Sequence, residues 1–142
     1  MTVGIIGAMD IEIKLLKEDM NLDSQLKKAG MTFYSGNLKG QDIVLVKCGI
    51  CKVNAGICTQ ILIDEFNIDQ LIFTGVAGAV DPKLEVEDIV VSTDLIQHDV
   101  DATSFGNREL GEIPELNKIE FKADQELIDL AFQAGKNVLN SE

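Results

Sequence analysis

The chain has 142 residues, enough for one domain with a real core. Its 24 acidic against 12 basic side chains give a net charge of −12, which argues against nucleic-acid binding and anionic membrane surfaces, since both call for a basic face. No apolar stretch approaches a membrane span, and the N-terminus lacks the basic-then-apolar order of a signal peptide. The three cysteines, at 48, 51 and 58, are odd in number and close together, which fits a reducing cytoplasm better than a disulfide framework.

Residues 3–6 read as a short apolar strand running into Gly7-Ala8. Asp10 is the expected helix cap, because residues 11–20 carry apolar side chains at 13, 16 and 20 and at 11 and 15, a helical spacing. Met31–Leu38 alternates loosely, Lys39-Gly40-Gln41 turns, and 43–47 continues, which reads as a hairpin. Cys48 to Cys51 is a short loop before a helix over Lys52–Phe66 with Ala55, Cys58, Leu62 and Phe66 on one stripe. Gln70–Phe73 reads as a buried strand, 74–79 as a small-residue loop, 88–96 as another strand, 107–117 as a loop, and 123–139 as an amphipathic helix. Alternating strands and helices predict an α/β fold, a central mixed sheet flanked by helices. Three helices leave part of such a sheet for a partner or a further segment to cover.

Four segments carry chemistry. Glu12 falls in a first helical turn beside the end of the first strand. It is either a solvent-facing glutamate favoured by the helix dipole or a group aimed at a ligand near Gly7, Ala8 and Met9. Thr74-Gly-Val-Ala-Gly-Ala79 suits a flat ligand lying on backbone, or a tight crossover with no ligand. His98-Asp-Val-Asp-Ala-Thr-Ser-Phe-Gly106 holds the only histidine, two carboxylates and an aromatic ring at a strand end, where α/β proteins place ligands. No second histidine or thiolate pair completes a zinc site with His98, and Asp99 and Asp101 are a weak calcium signal, so no metal ligand is assigned. Cys48-Gly-Ile-Cys51 before a helix has the form of a dithiol redox pair, although no tryptophan precedes it.

Three of these segments, Val3-Gly-Ile-Ile-Gly-Ala-Met-Asp-Ile-Glu12, Thr74–Ala79 and His98–Gly106, together resemble the 5′-methylthioadenosine/S-adenosylhomocysteine nucleosidases, of the wider purine nucleoside phosphorylase family. The resemblance implies a nucleoside phosphorylase-like fold of which 1–142 is a single domain truncated at its C-terminal side. It implies that Glu12 activates the water attacking the sugar's anomeric carbon, and that Ala8, Met9, Ile50, Val76, Ala77 and Gly78 line the nucleoside pocket. Many relatives have serine where Val76 stands, and glycine where Cys51 stands. If that glycine needs a positive φ, Cys51 is strained or the loop shifts. The resemblance further implies that Phe105 reaches into a neighbouring subunit's pocket, accompanied by Pro114, hence a homodimer.

The family includes hydrolases and phosphorylases. Phosphate calls for an arginine clamp, but Arg108 is the single arginine, and the loop after the first strand offers Ala8-Met9-Asp10 instead, so water is the expected nucleophile. The resemblance implies hydrolysis of the N-glycosidic bond with adenine as leaving group and no metal or organic cofactor. It also places the acid that protonates the base in a later segment with no counterpart in 107–142, so low or no turnover is expected of this chain alone. The alternatives are a related purine nucleoside phosphorylase or futalosine hydrolase, a catalytically dead nucleoside-binding chain, and a dithiol redox protein using Cys48 and Cys51.

Overall fold

Strand β4 (Gln41–Lys47) shows how the sheet is built. Its side chains alternate between two apolar clusters: Ile43 and Leu45 join Val3, Ile5, Ile13 and Met20, while Val44 and Val46 join Ile6, Phe33, Cys58, Ile61 and Leu62. Period-two alternation with apolar residues at both parities requires a sheet covered on both faces. Helix α1 (Asp10–Asp19) supplies Ile13 to the first face, and α2 (Lys52–Phe66) supplies Cys58, Ile61 and Leu62 to the second. The computed structural model describes residues 1–106 and 108–140. It divides into two compact units, Met1–Gly78 and Ala79–Glu142.

The first unit is a five-stranded mixed sheet in the order β2-β3-β4-β1-β5. Strand β1 (Thr2–Gly7) runs parallel to both neighbours, β4 and β5 (Gln70–Phe73). Strands β2 (Asn21–Lys28) and β3 (Met31–Leu38) extend the sheet antiparallel. The two hairpins turn on the same device, a residue with positive φ followed by glycine: Ala29-Gly30 (φ 50° and 76°) and Lys39-Gly40 (φ 51° and 92°). Helix α2 closes on Asn67 in the left-handed conformation (φ 47°), whose N–H bonds the Ile63 carbonyl at 3.2 Å.

Two expectations change, and one strand is new. Asp10 is the first residue of α1, not its cap; the cap is Met9, and Asp10 instead pairs with Lys47 at 2.7 Å. Strand β5 is not buried: it ends the sheet order, so one side lacks a ladder partner among the described residues, and Phe73 is 58% exposed. Strand β2 goes unread in the sequence because it is an exposed edge without β-branched residues; its signal was the Ala29-Gly30 turn.

In the second unit, only Asp94–Ile96 (β6) of the expected strand 88–96 forms, paired antiparallel with Glu120–Lys122 (β7). Residues 88–93 find no ladder among the described residues, and strand propensity without a partner does not make a strand. Helix α3 (Gln125–Leu139) starts at Asp124, whose carboxylate accepts the Leu127 N–H at 3.1 Å. Its Gly135 faces Ile89, which a Cβ at 135 would meet at 3.8 Å. Of the expected loop 107–117, Asn107 lies outside the described residues. No helix among the described residues is long and apolar enough to cross a membrane.

Candidate active site

Parallel pairing brings the C-terminal ends of β4, β1 and β5 to one edge of the sheet, so three loops leave it together. The Cys48 N–H bonds the Gly7 carbonyl at 2.9 Å on one side, and the Thr74 N–H bonds the Ile6 carbonyl at 2.9 Å on the other. Open α/β sheets bind ligands at this edge.

Glu12 is fixed in the middle. Its Oε2 accepts the N–H groups of Ala8 (2.7 Å) and Met9 (2.9 Å), and its Oε1 accepts the N–H of Val76 (3.0 Å). The bond from Met9, the helix cap, is one half of a capping box, a structural duty. The bond from Val76 is not: it comes from the loop after β5, 64 residues away. The Val76 bond is the largest influence on the carboxyl; burial, the next, opposes it, and the bonds from Met9 and then Ala8 add to it, so the group is held below its ordinary value of 4.5. Oε2 has both lone pairs engaged and Oε1 has one, so Oε1 keeps an acceptor position for a water or a hydroxyl.

Gly75 explains how the loop comes so close. A Cβ there would lie 2.7 Å from the carboxyl carbon of Glu12 and closer still to Oε1. The sequence marks this loop as small-residued, but only the fold shows which glycine yields to which side chain. Ile50 projects from the loop after β4 and is 74% exposed; Val76, Ala77 and Gly78 are exposed, and Ala8 and Met9 are half-buried. Glu12, Ala8, Met9 and Val76 are thus joined by hydrogen bonds, with Ile50, Ala77 and Gly78 on the two flanking loops. Phe105 and Pro114 belong to the second unit, where both are exposed.

Two of the remaining polar residues, Asp101 and Arg108, have local structural duties. The Asp101 carboxylate accepts both the hydroxyl (2.7 Å) and the N–H (3.0 Å) of Thr103, a local turn that lowers its pKa. His98 is exposed. Among the described residues no three His, Cys, Asp or Glu side chains gather as metal ligands. Arg108 is tied to Glu112 at 3.0 Å and Asn117 at 3.4 Å. An open cleft of about 750 Å³ lies along α1, lined by Lys14, Lys17, Tyr34 and Lys47 among others, and Glu12 is not part of it. There Lys17 bonds the Tyr34 hydroxyl (2.9 Å) and sits over its ring.

The three cysteines are free thiols. Burial raises the Cys48 thiol pKa, and burial pushes that of Cys58 up to about 12, the opposite of what activates an attacking thiol. Cys51, the cap of α2, has φ 105° and ψ 143°, a region that L side chains avoid at a cost of about 1–3 kcal/mol. Of the two outcomes expected for this position, strain is the one observed. Cys51→Gly should therefore raise stability by about 1 kcal/mol after the extra chain entropy of glycine is counted, read as a higher urea midpoint at unchanged slope.

The profile of the phosphorylase superfamily matches residues 2–140. The chain belongs to that superfamily. Within it, the chain is 46% identical over 126 residues to the 5′-methylthioadenosine/S-adenosylhomocysteine nucleosidase of Staphylococcus haemolyticus, covering 89% of this chain and 54% of the relative. Among solved structures it is similar to the nucleosidase of Colwellia psychrerythraea in complex with adenine (TM-score 0.88, 44% identity, 94% of this chain and 54% of that one). It is also similar to the nucleosidase of Neisseria meningitidis in complex with methylthio-immucillin-A (TM-score 0.90, 39% identity, 96% and 58%). This superfamily member spans little more than half the length of the relatives it matches.

Proposed function

We propose that this chain is the Glu12-bearing part of a hydrolase that cleaves the N-glycosidic bond of 5′-methylthioadenosine and S-adenosylhomocysteine and releases adenine. The observation that carries the reading is the Glu12 carboxylate, held by three N–H groups from two loops with an acceptor position left on Oε1. In this reading Oε1 orients a water on the anomeric carbon. As the bond to the base breaks and positive charge grows on the sugar, the water becomes acidic enough to give its proton to this weak base, and its oxygen bonds to the carbon. The bonding electrons leave with adenine, which takes a proton at N7 from the carboxylic acid that the family resemblance implies. Ala8, Met9, Ile50, Val76, Ala77 and Gly78 line the nucleoside site, with Val76 offering backbone only.

Two features favour water over phosphate: the one arginine is occupied by Glu112 and Asn117, and the Glu12 carboxylate, whose backbone donors favour its ionised form, would repel a dianion at the site. Phe105, 81% exposed, would cover the 5′ substituent in a neighbouring subunit's site, with Pro114 beside it, which makes the working form a homodimer. Free thiols suit a cytoplasmic location.

The test is binding of methylthioadenosine by the 142-residue chain, and adenine release from it, with and without phosphate. Binding is expected, with slow or no release and no response to phosphate. Release that requires phosphate would overturn hydrolysis, and preference for futalosine would overturn the substrate.

A further inference from the structure

We infer that Asn54 is a positioning residue that holds the loop 48–51 in the conformation presenting Ile50 at the sheet edge. That this loop meets a nucleoside rests on the reading above; the hold itself does not. The loop contains two positive φ angles, Gly49 at 82° and Cys51 at 105°. Glycine is at ease there, but cysteine is not, so Cys51 biases the loop toward another backbone arrangement. Asn54, in the first turn of α2, turns its amide back past the helix start and donates to the Ile50 carbonyl at 2.8 Å. That carbonyl belongs to the peptide between Ile50 and Cys51, the plane whose rotation sets φ of Cys51. The bond therefore acts on the strained torsion directly.

The same amide nitrogen lies 3.2 Å from where a Cβ on residue 49 would stand, so the side chain packs against the bare backbone of Gly49. The backbone bonds nearby, Cys48 N–H to Gly7 and Ala55 N–H to the Cys51 carbonyl, fix the ends of the loop, and the Cys48 thiol donates to the Gly49 carbonyl at 3.0 Å, whereas the Asn54 bond falls on the 50–51 peptide itself. Asparagine is a poor helix former, and at this position its side chain serves the loop rather than the helix.

The experiment compares the chain with Asn54→Ala and with the double variant Asn54→Ala/Cys51→Gly. Amide hydrogen exchange at residues 49–52 and the dissociation constant for methylthioadenosine are measured beside the urea midpoint. Asn54→Ala should speed exchange in this loop and weaken binding, each by about tenfold. Adding Cys51→Gly should restore most of both, because the loop no longer has strain to escape. A role in helix stability alone predicts losses that follow the urea midpoint and no rescue, and that pattern overturns the inference, as does unchanged loop exchange in Asn54→Ala. If the unsubstituted chain binds no methylthioadenosine, the nucleosidase reading fails, and the exchange measurements still decide the role of Asn54.

Discussion

Whatever adenine release the chain shows should fall by about 10²- to 10⁴-fold in Glu12→Gln, the usual worth of a positioned base. It should also lower stability by about 2 kcal/mol, because a carboxamide cannot satisfy the same donors. The carboxylate accepts from Ala8, Met9 and Val76 through both oxygens. In glutamine one of those oxygens becomes an NH₂ group that faces an N–H. The pH dependence gives a second readout. The folded pKa of Glu12 lies below its ordinary 4.5, so its contribution is complete above that value and is lost as the pH falls through the lower folded value. The stability gap between the chain and Glu12→Gln should stay constant near neutrality and narrow below about pH 4.5 in urea titrations. A gap independent of pH down to acid unfolding would contradict the role given to the ionised form.

Gly75→Ala should be nearly as damaging, for a purely steric reason. The added methyl would overlap the Glu12 carboxylate, so either that side chain leaves its three donors or the loop after β5 retreats and withdraws the Val76 N–H. The expected cost is about 1–3 kcal/mol, with loss of methylthioadenosine binding. A double-mutant cycle isolates the cause: in a Glu12→Ala background the space is vacant, and Gly75→Ala should cost close to nothing. Equal costs in both backgrounds would mean that Gly75 matters for its backbone alone.

Much of the frame can be read in the sequence, where a strong local pattern is also the one the fold uses. Helix α2 runs over Lys52–Phe66 as its apolar stripe predicts, and the β3–β4 hairpin turns at Lys39-Gly40. What failed depended on partners. Residues 88–93 have strand-like side chains and no ladder, whereas β2 has unremarkable side chains and a ladder supplied by β3. Asp10 looked like a cap because it precedes the helical pattern, yet its charge is used by Lys47 from the neighbouring strand end.

The site divides the same way. The Glu12 and Thr74–Ala79 segments stand out by composition, and the fold brings both to one edge. The clash that makes Gly75 obligatory and the bond from Asn54 to Ile50 join residues through three-dimensional geometry, which no spacing rule conveys. Phe105 and Pro114 were singled out by resemblance, and their part in the site belongs to the proposed dimer.

The bond from Val76 to Glu12 also has a consequence for the order of assembly. Its two ends are separated by 64 residues, with four strands and both helices of the first unit lying wholly or partly between them or beside them. A growing or partly folded chain that has formed α1 but not yet docked β5 against β1 already satisfies the capping duty of Glu12, while its third donor is missing. The glutamate is a local helix signal on its own and a member of the site only when β5 is paired with β1, so its full set of donors exists only in the assembled sheet.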